Sequence, residues 1–157
     1  MPRDNFPSLN MNFVVQFHKS EFRDDAHFQS VQGLKARICE NEGKSGTHVK
    51  YENLILKRAY QPDSKLVKWC MDAINHNKNR PINLTVQLLN SQLEPVSGWK
   101  IEKAVPVAWG IDELHAQESK ILLETIELSY QRFYVLNSKG KVIAPTPPII
   151  LKNKSIS

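Results

Sequence analysis

Residues 82–88 alternate strictly between apolar and polar side chains, and no other feature limits the fold of this chain as strongly. The apolar positions are Ile82, Leu84, Val86 and Leu88, and the polar positions between them are Asn83, Thr85 and Gln87. A period of two places the four apolar side chains on one face of a β-strand. The pattern predicts a strand of an antiparallel sheet, with one face in the core and the other in water or against a neighbour.

A short helix is predicted directly before this strand. The run Pro62, Asp63 and Ser64 is a helix start signal, with Asp63 or Ser64 as the N-cap, and Pro81 cannot continue a helix. Between these limits the apolar residues recur with helical spacing, which predicts a helix over residues 64–76 with one buried stripe. The stripe consists of Leu66, Cys70 and Ile74, with Val67 and Met71 beside them.

Further segments rich in β-branched and aromatic residues predict the remaining strands. They cover residues 13–17, 28–34, 49–60, 99–109 and 121–136. Pro106 cannot donate a ladder hydrogen bond, so the strand that contains it is expected to bend, bulge or lie at an edge. In the last segment one predicted face holds Leu122, Ile126, Leu128 and Tyr130, and the other holds Thr125, Glu127, Ser129 and Gln131.

Polar segments separate these strands at residues 18–27, 40–48 and 111–119. The middle one contains two glycines and few apolar groups, which is typical of an exposed, mobile loop. Its members are Glu40, Asn41, Glu42, Gly43, Lys44, Ser45, Gly46, Thr47 and His48.

Together these elements predict a mainly β fold: an antiparallel β-barrel or sandwich of about six or seven strands, with one short α-helix covering an opening. Its 157 residues suffice for one domain. We expect residues 1–138 to form that domain and residues 139–157, which contain Pro145, Pro147 and Pro148, to form an extended C-terminal tail.

The residues that usually carry chemistry form no recognisable constellation. The five histidines fall in no metal-binding motif, no glycine-rich phosphate loop occurs, and the acid pairs Asp24/Asp25 and Glu40/Glu42 lie in polar loops. Cys39 and Cys70 are too few for a disulfide framework, and Cys70 is expected to be a small buried hydrophobic residue. The sequence therefore predicts a protein that is not an enzyme and that needs no metal or cofactor.

Charge and targeting signals exclude further classes. The net charge is +5, but the basic residues are spread along the chain and not concentrated as in most nucleic-acid binders. The sequence shows neither a secretory signal nor an apolar run long enough for a membrane helix, so we expect synthesis in the cytoplasm and no membrane anchor. Three interpretations remain for the polar faces of residues 82–88 and 121–131: a solvated exterior, a contact between subunits, or the wall of a water-filled pore.

Four segments, taken in order, resemble the tail tube family of contractile injection systems. This family includes the tail tubes of T-even phages and the inner tubes of antifeeding-prophage and Photorhabdus-type particles. The segments are YENLILKRA at 51–59, RPINLTVQLLN at 80–90, EPVSGWKIEKAVPV at 94–107 and LETIELSY at 123–130. The resemblance covers about residues 9–135.

The resemblance implies a barrel like that of the haemolysin-coregulated proteins, with sheets that join across subunits into six-membered rings. It implies that residues 40–48 contact the next ring and that Asn83, Thr85, Gln87, Thr125, Glu127 and Ser129 face the lumen or a neighbouring subunit. The implied partners are further copies of the chain, a sheath protein, baseplate or spike-hub proteins, and a lumen cargo of effector protein or DNA. The implied location is an injection particle or virion tail assembled in the bacterial cytoplasm.

Three functions remain open at this point. The chain could be the tube subunit, including a specialised layer that starts the tube next to the baseplate. It could be a secreted ring protein of a type VI secretion system, which shares the fold. It could also be a monomeric β-barrel that binds a ligand or a nucleic acid.

Overall fold

The computed structural model of the protein describes residues 12–117 and 119–145. In these residues the chain forms one α-helix, one short 3-10 helix at Ser20–Phe22 and nine strands. The strands are β1 Asn12–Phe17, β2 Ser30–Gln32, β3 Ala36–Glu40, β4 Thr47–Tyr51, β5 Leu54–Ala59, β6 Ile82–Leu89, β7 Pro95–Ile111, β8 Leu123–Ser129 and β9 Arg132–Leu136; the helix, α1, is Lys65–His76. The mainly β, antiparallel fold with one short helix is confirmed, although the number of strands exceeds the six or seven predicted.

Strand β7 organises the molecule because it belongs to two sheets. Its first part pairs with β6 and β9, and its second part pairs with β8. The full strand order is β1-β6-β7-β8-β5-β2, with β9 beside β7, and every pair is antiparallel. Strands β3 and β4 form a separate two-stranded hairpin.

Two irregularities let β7 pass from one sheet to the other. Lys103 adopts a positive φ of 61°, next to a register shift against β6. A second register shift, against β8, lies between Pro106 and Ala108. Such bulges bend a strand and increase its twist. The predicted irregularity at Pro106 is confirmed.

The strand order has two ends and is not closed into a full barrel. Strands β1 and β2 lie at those ends, and in the described residues Val15 N of β1 donates a hydrogen bond at 3.0 Å to Ala26 O, in the segment before β2. The result is a two-sheet sandwich with its apolar faces turned inward.

The predicted alternation along β6 is confirmed. Ile82, Leu84 and Val86 are buried, Leu88 is half-buried, and Ile126 and Leu128 of β8 complete the same core. Because the inward row is apolar, Thr85 points to the other face, and the predicted register holds.

Helix α1 covers the core with a face slightly different from the predicted one. Ser64 is the N-cap, and its Oγ accepts a hydrogen bond from Val67 N at 3.0 Å. The buried residues are Leu66, Val67, Trp69 and Cys70, whereas Ile74 is 46% exposed and was wrongly assigned to the core. Trp69 replaces it, because the buried stripe follows the i, i+3, i+4 positions from Leu66 and ends before the last helical turn.

Four of the predicted strands have clearly different limits in the structure. Residues 49–60 form two strands, because the chain turns at residues 52–53 between β4 and β5. Residues 121–136 also divide in two, at residues 130–131, and the segment predicted over 28–34 is reduced to β2. Strand β7 is longer than the predicted 99–109, and β3 was not predicted.

The start of the predicted C-terminal tail is folded back on the sandwich. Asn137 N donates to Lys141 O at 2.8 Å, Ile143 N donates to Val135 O at 2.8 Å, and Val142 bridges Leu136. An extended tail is therefore wrong for residues 139–143, while residues 146–157 lie outside the described residues. No helix in the described part of the chain is long and apolar enough to cross a membrane.

Candidate assembly surfaces

The hairpin of β3 and β4 is exposed over most of its length. Its register pairs Ile38 with Val49 and Cys39 with His48. Eight of the nine residues predicted as a loop over 40–48 are exposed, and Glu40, Thr47 and His48 belong to the strands rather than to the loop. The true turn covers residues 41–46, where His48 Nδ1 and Asn41 Oδ1 are 2.8 Å apart.

Aromatic packing joins the base of the hairpin to the sandwich. The ring centroid of Tyr51 lies 5.8 Å from that of Tyr130 and 5.2 Å from that of Phe133. Burial raises the pKa of Tyr130 to about 12, and Tyr51 and Glu52 act in the same direction. An ion pair between Arg37 and Glu52 at 2.9 Å spans the base. The hairpin is thus fixed at one end only.

The predicted polar face of β6 is engaged in contacts within the subunit. Asn83 Oδ1 accepts a hydrogen bond from Lys103 N at 2.9 Å, so its side chain stabilises the first bulge of β7. Thr85 Oγ1 lies 2.9 Å from His18 Nε2. Burial and the nearby charge of Lys100 lower the pKa of His18, which favours the neutral imidazole. Gln87 is half-buried between β1 and β7.

The predicted polar face of β8 also carries a network. Thr125 Oγ1 donates to Asp112 Oδ1 at 2.6 Å, and Lys57 Nζ lies 3.3 Å from Asp112 Oδ2. The hydrogen bond from Thr125 holds the pKa of Asp112 below its ordinary value, and Lys57 acts in the same direction. Glu127 Oε2 accepts from Asn53 Nδ2 at 2.7 Å, and Ser129 lies opposite Val105.

These two polar faces lie on different sheets. The face of β6 is the outer surface of the sheet formed with β1 and the first part of β7, and the face of β8 is the outer surface of the sheet formed with β5 and the second part of β7. The six predicted residues therefore do not form one continuous site. They mark two polar walls on opposite outer surfaces of the sandwich.

Strand edges are the second type of surface available for assembly. Among the described residues, β1 pairs only with β6, and β2 pairs only with β5. Each strand has one edge without a strand partner in that part of the chain, although on that edge of β1 Val15 N already donates to Ala26 O. A free edge presents a row of N–H and C=O groups that can pair with another chain.

A buried polar network, which the sequence did not predict, lies at the end of the sandwich opposite the hairpin. Arg58 of β5 is at its centre and is almost fully buried, as are Asp25 and Glu124. Its Nε donates to Glu124 Oε2 at 2.6 Å, and its Nη1 donates to Asp25 Oδ1 at 2.7 Å. Two carboxylates thus surround one guanidinium away from water.

The same network reaches the helix and β7. Arg58 Nη2 donates to Oγ of Ser64, the N-cap of α1, at 2.7 Å. Trp109 Nε1 donates to Glu124 Oε1 at 2.7 Å. Because every buried polar group here has a partner, the network links β5, β7, β8, the segment before β2 and the helix start in fixed positions.

This network corrects the interpretation of the acid pair Asp24/Asp25 as solvated loop carboxylates, since Asp25 is buried against Arg58. The sequence contained a sign that Glu124 is buried, because the alternation along β8 places Glu124 in the inward row with Ile126 and Leu128. Arg58 likewise occupies the inward row of β5 with Leu54 and Leu56. Opposite charges on the apolar rows of two strands predict a buried pair.

The buried thiol of Cys70 lies close to this network and is unreactive. Burial raises its pKa to about 12, and the charge of Glu124 adds to the effect, so the thiol stays protonated. Within residues 12–117 and 119–145, no group of three histidine, cysteine or acidic residues is arranged to hold a metal ion.

A comparison of the sequence with known families identifies the family of the chain. The profile described as "T4-like virus tail tube protein gp19" matches residues 9–134. The chain therefore belongs to the T4-like virus tail tube protein family. The resemblance drawn from the sequence is confirmed, with nearly the same limits. No curated protein matches the chain in sequence.

Solved structures with the same fold come from injection particles. A chain of the anti-feeding prophage baseplate, in a six-fold symmetrised cryo-EM structure, has a TM-score of 0.66 at 24% identity, covering 87% of this chain and 99% of that one. A chain of the sheath–tube complex of the extracellular contractile injection system PVC, in the extended state, has a TM-score of 0.64 at 21% identity, covering 85% and 93%.

Hcp1 from Flavobacterium johnsoniae is a more distant structural neighbour, with a TM-score of 0.56 at 11% identity, covering 78% of this chain and 93% of that one. At these identities the three likenesses establish the fold alone. They confirm the predicted architecture, which the tail tubes share with the haemolysin-coregulated proteins.

Proposed function

We propose that this protein is a structural, non-enzymatic subunit of the inner tube of a contractile injection system, and that six copies form a ring and the rings stack around a lumen. The family match over residues 9–134 carries this proposal. The six-fold symmetry of the baseplate that contains a chain of the same fold supports the ring size.

The free edges of β1 and β2 supply a mechanism for ring closure. Pairing of an edge strand with a neighbouring subunit satisfies backbone groups that would otherwise promote aggregation. A ring made by strand pairing is also stiff, because each subunit contact contains directional hydrogen bonds. We expect each contact between neighbours to bury more than about 1,000 Å² in total, as stable interfaces do.

The two polar walls fit a tube subunit that has both an inner and an outer surface. We assign Asn83, Thr85 and Gln87, and likewise Thr125, Glu127 and Ser129, to the lumen or to a neighbouring subunit. Polar, hydrogen-bonded walls allow a cargo of effector protein or DNA to pass without adhering. The substitution Thr85→Ala should change subunit stability little, because its side chain lies outside the core.

We assign the stacking contact between rings to residues 40–48, at the far end of the hairpin. They project from one end of the sandwich and are mostly exposed in the isolated subunit. Further partners in the proposed particle are a sheath protein around the tube and baseplate or spike-hub proteins at its end. Assembly is proposed to take place in the bacterial cytoplasm, before the particle acts.

A secreted ring protein of a type VI secretion system is the second candidate, and the likeness to Hcp1 is the observation that favours it. The two functions differ in their assemblies: a tube subunit polymerises into long stacks, whereas a secreted carrier acts as separate rings. Genes for a phage-like sheath, baseplate and spike next to this one would favour the tube.

Electron microscopy of the purified protein, alone and with baseplate components as a template, tests the proposal. Six-membered rings or tubes are expected, and a monodisperse 18.0 kDa monomer under all these conditions would contradict them. Deletion of residues 42–46 should leave the subunit folded and able to form rings while stopping elongation. Tubes of normal length from this variant would show that the loop is not the stacking element.

A further inference from the structure

Two exposed apolar side chains lie side by side on the hairpin. Ile38 is 76% exposed and Val49 is 51% exposed, and the two residues are directly opposite each other in the register of β3 and β4. Directly opposed residues project from the same face and touch. We call Ile38 and Val49 the hairpin pair. Single exposed apolar residues are ordinary, whereas these two side chains form one small apolar patch on a protruding hairpin.

A second exposed apolar pair lies in the segment between β7 and β8. Leu114 is 77% exposed and Ile121 is 68% exposed. Both line one depression on the surface, together with Glu113, Ala116 and Leu122. We call Leu114 and Ile121 the loop pair. The loop pair thus lies in a concave part of the surface, whereas the hairpin protrudes.

The two pairs lie at opposite ends of the same sheet. The hairpin joins β5 at Leu54, which is paired with Leu128, whereas the loop pair lies at the other end, where Ala59 is paired with Leu123. Tyr60 N donates to Leu122 O at 2.9 Å, which fixes the loop at that end. Six strand residues separate the ends by about 20 Å, at about 3.3 Å per residue.

Surfaces at opposite ends of one subunit meet when copies stack head to tail. Such a heterologous contact repeats without closing, which is how stacks and filaments form. The charges near the two pairs agree with this arrangement. Hairpin residues 36–51 contain three basic and two acidic residues, while the described residues of 112–122 contain two acidic residues and one basic residue.

We infer that the hairpin pair of one subunit docks on the loop pair of a second copy of this chain in the next ring. The inference rests on the proposed function, since it specifies the receiving surface for the hairpin. The contact removes four exposed apolar side chains from water, and it gives every stack one end that presents hairpins and another that presents loops.

Disulfide trapping tests the inference directly. One variant carries Ile38→Cys and another carries Leu114→Cys, each with Cys39→Ser to remove the neighbouring thiol. The two are mixed before assembly and then oxidised, or treated with a short bis-maleimide. A cross-linked dimer is expected in the mixture and in neither variant alone. The chain with both cysteines should give a ladder of linked species, because the two sites are too far apart to join within one subunit.

A matched control combines Ile38→Cys with Val107→Cys, since Val107 is an exposed apolar residue outside the loop pair; it should give no ladder. Electron microscopy of the same samples separates two kinds of failure. If rings stack and the 38–114 link does not form, the inference is wrong and the proposed function stands. If neither rings nor stacks form with or without a baseplate template, the proposed function is wrong and the inference falls with it.

Discussion

The two ends of the β5–β8 sheet are held together in opposite ways. At one end, Arg58, Asp25 and Glu124 form a network that is almost fully buried and reaches the helix start. At the other end, the hairpin of β3 and β4 is exposed on both strands and is packed only at its base, around Tyr51. The difference shows where this subunit is rigid by itself and where it depends on another molecule for burial.

The largest expected effect comes from removing the central cation of the buried network. Arg58→Ala leaves the carboxylates of Asp25 and Glu124 buried without their partner, and breaking such a pair costs about 3–5 kcal/mol. Chemical denaturation measures the loss. Arg37→Ala, at the exposed Arg37–Glu52 pair of the hairpin, is the matched control and should cost at most about 1 kcal/mol. Equal losses in the two variants would remove the contrast between the two ends.

Apolar truncation should separate the packed core from the hairpin. Leu128→Ala, in the inward row of β8, removes a fully buried side chain and should cost about 2–5 kcal/mol. Ile38→Ala on the hairpin should change subunit stability by less than about 0.5 kcal/mol, since surface substitutions rarely do more. A loss above 2 kcal/mol for Ile38→Ala in the monomer would mean that the hairpin is already packed without a partner.

Gly33 lies where the chain enters the hairpin, and its replacement should have an intermediate effect. Its φ is +98°, and a Cβ at this position would lie 2.0 Å from Asn53 O. Gly33→Ala should therefore cost about 1–3 kcal/mol through backbone strain, with an added displacement of the hairpin base. Gly43→Ala is the control for the clash, because Gly43 in the hairpin turn also has a positive φ, +69°, but no atom lies within 4 Å of a Cβ there. Thermal unfolding and the near-ultraviolet signal of Tyr51 and Tyr130 report the two effects.

The smallest expected effect is the pH dependence due to His18. Its pKa is lowered in the folded protein, so the unfolded chain binds a proton more readily. Its contribution to stability is therefore complete above the ordinary value of 6.5 and is lost as the pH falls through the lowered folded value. An NMR titration should give a midpoint below 6.5. Thr85→Val should leave the midpoint low because burial is the main cause; a return to 6.5 would assign the shift to the hydrogen bond.

The sequence predicted those parts of the fold that depend on local pattern. The alternation along β6 and the capped helix after Pro62 are both encoded within about a dozen residues, and both are confirmed. The strand boundaries that were not predicted depend on contacts between residues that are distant in sequence. The division of residues 121–136, for example, occurs where β8 and β9 pass the bulges of β7. Ile74 was misassigned because helix periodicity shows which side of the helix is apolar. It does not show how much of that side is covered by the sheet.

For the candidate surfaces, too, the sequence showed the local pattern but not the contacts between distant segments. Alternation identified both polar faces, but it could not show that they belong to different sheets, because that depends on the transfer of β7 between them. Asn83 illustrates a further limit: its side chain stabilises the bulge at Lys103, a role that the sequence of β6 alone does not reveal. The partnership of Asp25 with Arg58 is likewise invisible until the chain is folded.

The strand order has a consequence for folding during synthesis. Val15 of β1 pairs with Val86 of β6, about 70 residues later, and bacterial or eukaryotic synthesis at about 5–20 residues per second takes roughly 4–14 s to cover that interval. Strands β2 and β5 pair with each other, but a two-stranded ribbon is barely stable in water, so the pair becomes stable only when β8 has been synthesised and pairs with β5. Residues 82–136, by contrast, form a continuous run of neighbouring strands. The N-terminal third of the chain thus emerges first and folds last, and a pause in translation before residue 86 leaves the apolar row of β1 exposed to self-association.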